Sequence, residues 1–280
     1  MEISLDSVVI RADENLRLPS SALRVQELTE LPDTDANELL RAVEVDPAFA
    51  AQLLKLANSP IYSRGKQTTS LDRAIGLLGF KEVGYLAIAL AASKQLKKIE
   101  TELLSSTSFW NHSLTTAILA RNTARKLKIQ DRGIFTSALL HDLGILIEIG
   151  MCTEEMQGVL DLSMYSEDVG LQAAENQILG FNHSEFAAIL FANWGLPEVI
   201  IETAKYHHSP GQAKQFRQEV ALIAWANIIE HIGTDADDED WEQHTELLAD
   251  IKDITGLEKP EDDSLLEQAQ AETIEMIGLF

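Results

Sequence analysis

The chain has little of several features that define common protein classes. It contains one cysteine, Cys152, among 280 residues, so an internal disulfide framework is excluded and a reducing, cytoplasmic location is expected. No window approaches the long apolar run of a transmembrane helix. The first residues, MEISLDSVVIRADENLRLP, carry acids where a secretory signal needs a basic start. We therefore expect neither a membrane protein nor a secreted one.

Basic residues are also scarce. The chain has 22 lysines and arginines against 45 aspartates and glutamates, a formal net charge of −23. The imbalance is greatest in residues 234–280, which hold 16 acids and 2 bases. Binding to a phosphate backbone or to anionic lipid depends on clustered Lys and Arg. This composition therefore argues against direct contact with nucleic acid or membrane, and the acidic outer surface suits a basic protein partner.

Strand-like alternation of apolar and polar residues is missing as well, whereas helical periodicity runs through most of the chain. We expect an all-α, multi-helix bundle in which an N-terminal helical half, 16–104, packs on a second half, 105–232. Residues 1–15 form an N-terminal segment, and the tail, 233–280, is a docked acidic helical appendage because it keeps large apolar residues at helical spacing. The expected helical stretches are 18–31, 35–59 divided at Asp46–Pro47, 70–93 divided at Gly79, 105–127, 130–149, 168–178, 183–194, 197–208 and 218–232.

One apolar run, ALLHDLGIL, places His141 and Asp142 side by side. An ionised carboxylate on a dry helix face costs several kcal/mol unless it is paired. Other helices carry polar groups at similar inward positions. His183 precedes apolar residues at i+3, i+4, i+7, i+8 and i+11, which puts it on the core side of its helix. The remaining inward polar groups are His112, His207, His208 and Asn227.

Inward polar groups on separate helices can satisfy one another only by converging. A metal ion at their meeting point would neutralise Asp142 and accept neutral imidazoles. Either one ion lies between His141 and Asp142, or Asp142 bridges two ions. The mixed imidazole and carboxylate set suits Fe, Mn or Zn better than Mg. Each histidine taken singly is more often a hydrogen-bonded core residue than a ligand, so the prediction depends on the whole set.

Several segments, in their order along the chain, resemble those of a known protein family. FWNHSLTTAILA, TSALLHDLGILI, GFNHSEFAAILFANWGLPEVIIETAKYHHSP and ALIAWANIIEHI resemble the successive blocks of the HD superfamily of metal-dependent phosphohydrolases. Upstream, DPAFAAQLLKLANSPIY and TTSLDRAIGLLGF are typical of HDOD proteins. The resemblance covers roughly residues 16–232. It implies an all-α bacterial signalling module of a kind without established catalysis.

The resemblance also assigns residues. His112 matches the first histidine of the HD pattern, and His141 with Asp142 matches its doublet. His183 resembles the next histidine, and His207 or His208 resembles the paired histidines of HD-GYP phosphodiesterases. These six residues are the predicted metal ligands, listed in full as His112, His141, Asp142, His183, His207 and His208.

Two departures count against full activity. The closing aspartate of the pattern falls at Asn227, a weaker ligand, and a lysine common in active HD enzymes falls at Ile145. The first hypothesis is therefore a regulatory protein with a signalling partner and a structural, metal-retaining site. The second is a metal-dependent phosphohydrolase of a nucleotide or cyclic dinucleotide, with Asp142 and His141 as catalytic residues. We rank regulation first because phosphoryl transfer depends on charge stabilisation. The sequence leaves the oligomeric state open.

Overall fold

The structure is a computed structural model, and it describes residues 3–63, 65–96, 103–166, 169–233, 237–260 and 262–280. Across these ranges the chain is helical, with no β-strand, which confirms the predicted all-α class. The predicted end of the first half near 104 and the predicted start of the tail near 233 border residues 97–102 and 234–236, which lie outside the described ranges.

The first part of the chain is a layer of short helices that pack around one longer apolar helix, α7. The predicted division at Asp46–Pro47 is present, since the Asp46 carboxylate accepts hydrogen bonds from the Ala48 and Phe49 amides at 3.0 and 3.1 Å. The helices are α1 Leu5–Asn15, α2 Ser20–Glu30, α3 Ala36–Glu44, α4 Pro47–Ala57, α5 Pro60–Ser63, α6 Leu71–Leu78 and α7 Phe80–Leu96.

The second part is built on the 22-residue helix α8. Its helices are α8 Ser106–Leu127, α9 Ile134–Leu140, α10 Leu143–Met151, α11 Thr153–Tyr165, α12 Leu171–Ile178, α13 His183–Asn193, α14 Glu198–Tyr206 and α15 Arg217–Ile232. Helix α1, which lies in the predicted N-terminal segment, packs on α10 and α13 of the second part. There it buries Val8, Val9 and Ala12, a contact that the sequence did not predict.

The predicted helix 130–149 is interrupted at the doublet that it carries. Helix α9 ends at Leu140 and α10 begins at Leu143. Asp142 stands between them with φ −100° and ψ 10°, outside helical geometry. The prediction that no window approaches a transmembrane run is wrong for the 18-residue stretch Ile134–Met151, which is apolar enough to cross a membrane by length and composition, but 83% of it is buried inside the protein. It is a core element of the fold.

The acidic tail contributes the short helix α16 Asp238–Glu242, then α17 Thr245–Thr255 and α18 Ser264–Met276. Helix α18 lies along α8, where the Thr115 and Thr273 hydroxyls are 3.0 Å apart. At the end of the chain, Phe280 stacks on Trp110 with ring centroids 5.7 Å apart, and its carbonyl accepts a hydrogen bond from the Ser93 hydroxyl at 2.9 Å. The apolar residues of the tail therefore dock it on both halves of the body.

A charged cluster joins the two halves, and we call it the arginine cluster: Tyr62, Glu82 and Arg121, which are buried, and Asp131, which is exposed at its edge. The Arg121 guanidinium lies 3.9 Å from the centroid of the Tyr62 ring and pairs with Asp131, with Nε and Oδ2 3.1 Å apart. The Tyr62 hydroxyl donates to the Glu82 carboxylate at 2.6 Å. Burial raises the pKa of Glu82, and the Arg121 charge opposes that rise. The cluster thus contains its own cation.

Candidate metal centre

The six residues predicted from the sequence lie together, with Asp142 at the centre. His141 and His207 are fully buried and approach opposite oxygens of its carboxylate. His141 Nε2 is 3.0 Å from Oδ2, and His207 Nε2 is 3.1 Å from Oδ1. The break between α9 and α10 sets this geometry, because it turns the Asp142 side chain toward the end of α14.

The other three histidines complete the cluster around Asp142. His112 on α8 places Nε2 3.5 Å from Asp142 Oδ2, and His183 on α13 places Nε2 3.6 Å from Oδ1. His208 Nε2 lies 3.2 Å from His183 Nε2. The histidines and Asp142 form two overlapping groups whose candidate ligand atoms lie within 4.8 Å of one another. One group is Asp142, His183, His207 and His208, and the other is His112, His141 and Asp142.

The outer nitrogens of two rings are held by main-chain carbonyls. His141 Nδ1 lies 2.7 Å from the Ala138 carbonyl oxygen, and His207 Nδ1 lies 2.9 Å from that of Ala204. A carbonyl can only accept, so each ring carries its proton on Nδ1. Nε2 is therefore the nitrogen that each of these two rings turns toward Asp142.

The outer nitrogens of two further rings meet carboxylates. His183 Nδ1 lies 2.8 Å from Glu175 Oε2, and the His183 amide donates to the same glutamate at 3.0 Å. His112 Nδ1 contacts the Glu230 carboxylate. A carboxylate or carbonyl behind a histidine fixes its tautomer and makes its other nitrogen more basic, as is usual for metal-binding imidazoles.

The electrostatics of the centre follow from burial and from these contacts. Burial opposes ionisation of Asp142, but the surrounding histidines hold the pKa of its carboxyl well below the usual range. Burial lowers the pKa of His207 below its ordinary value despite the nearby carboxylate. Burial also works against a charge on His112, but Asp142 and Glu230 raise its pKa to about 10. The centre thus combines an ionised Asp142, a protonated His112 and a neutral His207.

The residues present fit a divalent metal. Among the described residues, His141 Nε2, His207 Nε2 and Asp142 Oδ1 are buried and have no hydrogen-bond partner. A lone pair facing a carboxylate oxygen at about 3 Å is repulsive, and a buried polar atom without a partner costs roughly 1–3 kcal/mol. A cation between these atoms would remove both penalties. The cluster can therefore hold a metal ion through imidazole and carboxylate ligands.

The two positions that depart from the family pattern lie as follows. Asn227 is half-buried on α15, and among the described residues no hydrogen bond joins it to any of the six cluster residues. Ile145 is half-buried and packs against the apolar core. A lysine at this position could have met a phosphate, but the isoleucine side chain brings no charge.

Sequence reasoning missed three glutamates. Glu230 lies one helical turn beyond Asn227, so the same helix face could have identified it. Glu148 interrupts the apolar run LGILIEIG, the signal that identified Asp142. It is fully buried with both oxygens unpartnered among the described residues, and burial beside Glu175 raises its pKa to about 10. Glu175 had no signal in its own segment, because its partner, His183, comes from the next helix.

The sequence pattern of the HDOD domain family matches residues 16–210, which is more than half of the chain. The protein therefore belongs to the HDOD family, as the resemblance predicted. A protein of Treponema pallidum (strain Nichols) is 25% identical over an alignment of 227 residues. The alignment covers 79% of this chain and 43% of that protein. The chain thus spans less than half the length of that relative.

Solved structures share the fold. A candidate phosphohydrolase from Shewanella amazonensis SB2B superimposes with a TM-score of 0.74 at 20% identity and 97% coverage of both chains. A candidate signal transduction protein from Marinobacter aquaeolei VT8 gives a TM-score of 0.68 at 22% identity, covering 98% of this chain and 64% of that one. At these identities the likeness establishes the architecture.

Proposed function

We propose that the protein is an HDOD signalling module whose histidine–aspartate centre holds a divalent transition metal, with little or no phosphoester hydrolysis. The observation that carries the proposal is the set of buried atoms on His141, His207 and Asp142 that face one another and have no hydrogen-bond partner among the described residues. The proposed ligands are His112, His141, Asp142, His183, His207 and His208.

The metal we propose is iron, manganese or zinc. Imidazole nitrogen outnumbers carboxylate oxygen among the candidate ligands, a composition that favours these ions over magnesium. Four of the rings have their outer nitrogen fixed by a carbonyl or a carboxylate. Those contacts leave Nε2 as the ligand atom in each case.

Weak or absent catalysis follows from the charge around the centre. Phosphoryl transfer needs cationic groups that stabilise charge on the transferred phosphate. Ile145 brings no such charge, and Asn227 offers an amide where a carboxylate would bind the metal more strongly. The signalling role is supported by membership of the HDOD family and by the structural likeness to the Marinobacter protein. A signalling protein is therefore the partner we propose, and the acidic tail offers a surface suited to a basic one.

Hydrolysis is the second candidate, because the centre reaches solvent. His208 is exposed and His112 is half-buried. The phosphate of a nucleotide or cyclic dinucleotide could therefore approach the cluster from the side on which these two histidines lie. A bound divalent metal would generate hydroxide near neutral pH and polarise the phosphoryl group. Asp142 and His141 would then be the catalytic residues. The fold shared with the Shewanella protein is consistent with this alternative.

Turnover separates the two candidates. Purified protein loaded with Mn²⁺ or Fe²⁺ is assayed against phosphomonoesters, nucleotides and cyclic dinucleotides, with Asp142→Ala as the control. The proposal expects no turnover above that of the Asp142→Ala control. Robust turnover by the unmodified protein that the substitution abolishes would reverse the ranking.

A second variant tests the ligand set. Asn227→Asp adds a carboxylate on the helix face that also carries Glu230, so it should tighten metal binding in a chelator competition. Asn227→Leu is the control, since it is of similar size but offers no ligand oxygen. Equal affinity in all three proteins would show that position 227 does not contribute to the centre.

A further inference from the structure

The imidazoles of the centre are supported in two different ways. Main-chain carbonyls hold His141 and His207, so those rings depend on the backbone of their own helices. Carboxylates hold His183 and His112. Each of these carboxylates belongs to a helix other than the one that carries its histidine, so a single side-chain substitution can remove the support.

The two carboxylate contacts differ in how firmly they are fixed. Glu175 is fully buried and also accepts a hydrogen bond from the His183 amide at 3.0 Å. The Glu230 side chain is 19% exposed, and the hydrogen bond that the structure gives its carboxylate goes to His112. His112 is also the less buried of the two histidines. The Glu230 contact is therefore the one that can be removed with the least disturbance to the core.

Helix α15 reaches the centre through Glu230. Asn227 and Glu230 are three residues apart and so share one face of the helix. Asn227 is neutral and, among the described residues, is hydrogen-bonded to none of the six cluster residues. Glu230 contacts His112 directly, and His112 Nε2 in turn faces Asp142. The charge that α15 brings to His112 is thus the carboxylate of Glu230. It lies three residues after position 227, where the family pattern has an aspartate.

We infer that Glu230 is a positioning residue of the metal centre. Its carboxylate accepts the Nδ1 proton of His112, which fixes the orientation of the ring and leaves Nε2, on the Asp142 side, as the nitrogen available to a metal. The negative charge behind the ring also makes Nε2 a better donor. The inference rests on the proposed metal-binding function, and it assigns to Glu230 an orienting role without direct ligation.

The test uses the full chain, stripped of metal and titrated with Zn²⁺ in competition with a chelator of known affinity. Glu230→Ala removes the acceptor and should weaken zinc binding by about ten- to hundredfold. Glu230→Gln keeps an acceptor oxygen and should lose less. Glu185→Gln, which removes an exposed carboxylate on α13, is the matched control and should bind like the unmodified protein.

A second readout separates orientation from general charge or folding. In the zinc-loaded protein, nitrogen-15 NMR should show His112 with its proton on Nδ1 in the unmodified, Glu230→Gln and Glu185→Gln proteins. The Glu230→Ala variant should lose that slowly exchanging proton signal while the signals of His141 and His207 persist.

Two results would contradict the account, and they are distinguishable. If the unmodified protein binds zinc and Glu230→Ala matches it in affinity and in the His112 proton signal, Glu230 has no positioning role and the proposed function stands. If the unmodified protein binds no zinc, the proposed function fails and this inference fails with it.

Discussion

The protein buries two polar clusters, and they differ in one respect. The arginine cluster holds the cation Arg121 among Glu82, Asp131 and Tyr62, with the ion pair at 3.1 Å and the Tyr62–Glu82 hydrogen bond at 2.6 Å. The centre around Asp142 has a carboxylate and five histidines, three of them fully buried or nearly so, and no lysine or arginine. Its shortest contacts with Asp142 come from His141 and His207, at 3.0 and 3.1 Å.

This difference indicates where the stability of each cluster comes from. The arginine cluster neutralises itself with side chains, so its stability belongs to the fold alone. In the Asp142 centre the neutral His207 sets a lone pair against a carboxylate oxygen, an unfavourable contact that a metal ion from solution would relieve. Perturbing the first cluster should therefore change stability at any metal concentration, whereas perturbing the second should change the response to metal.

The largest effect is expected at Arg121. Arg121→Met removes the cation beside the buried Glu82 carboxyl and the ion-pair partner of Asp131, and leaving a buried charge without its partner costs up to about 3–5 kcal/mol. The free energy of unfolding, measured with urea, should fall by this amount equally with and without metal. Adding Glu82→Gln should recover part of the loss, because the orphaned carboxylate is gone.

Arg24→Met is the control for this measurement. Arg24 is exposed and lies 2.8 Å from Glu27 and 3.3 Å from Glu38, whose side chains are exposed as well, and surface pairs of this kind contribute roughly 0–1 kcal/mol. A loss at Arg121 no larger than at Arg24, or one that depends on added metal, would contradict the contrast between the two clusters.

The next effect concerns metal removal. A ligand that binds only the folded state at a hundred times its Kd stabilises by about 2.7 kcal/mol. Stripping the unmodified protein with a chelator should therefore lower its Tm, and re-adding Zn²⁺ or Mn²⁺ should restore it. Asp142→Asn should show no such response, because the amide neither neutralises the ion nor replaces both carboxylate oxygens. An identical Tm response in both proteins would place the stabilising metal elsewhere.

A smaller effect is expected where α10 meets α13. A Cβ at Gly144 would lie 2.4 Å from the His183 carbonyl oxygen, so Gly144→Ala must push the two helices apart. Overpacking of this kind costs about 1–3 kcal/mol, and the shift of His183 should also weaken metal binding. Gly76→Ala on α6, where the added Cβ meets nothing within 4 Å, should be neutral or slightly stabilising and should leave metal affinity unchanged.

The smallest effect is a pH dependence at Glu148. Its pKa rises from 4.5 to about 10 because of burial and the neighbouring Glu175. The folded state therefore keeps a proton that the unfolded state loses, so this contribution to stability is complete below pH 4.5 and is lost as pH rises toward 10. Glu148→Gln should match the unmodified protein near pH 5 and lose less stability than it does as the pH rises to about 9. Parallel stability curves across this range would show that Glu148 does not titrate as described.

The positions of the six site residues were predictable because each interrupts an apolar pattern with a polar group. His183 shows this best, since five apolar residues at helical spacing follow it. The break at Asp142 was not predicted, because apolar residues at helical spacing continue on both sides of it, and the weak helix former Gly144 lies inside α10 rather than at the break. Packing around the centre, and not local propensity, turns the chain there.

The supporting glutamates were harder to find for a related reason. A carboxylate that contacts Nδ1 of a histidine lies on a different helix from that histidine. The spacing of residues along one helix therefore does not reveal it. Glu230 satisfies His112 across 118 residues of sequence. The docking of the tail was predictable from its apolar spacing, but its target was not. Nothing in the sequence indicated that Phe280 would stack on Trp110 or that α1 would pack on α13.

The central claim is that the Asp142 centre is completed by a metal. The most direct test is elemental analysis combined with anomalous scattering on protein purified without chelator, beside Asp142→Asn prepared in the same way. The account predicts near-stoichiometric iron, manganese or zinc in the unmodified protein, located between Asp142 and the histidine Nε2 atoms, and a loss of that metal in the variant. An unmodified protein that holds no metal even after loading, or a variant that retains it fully, would contradict the account.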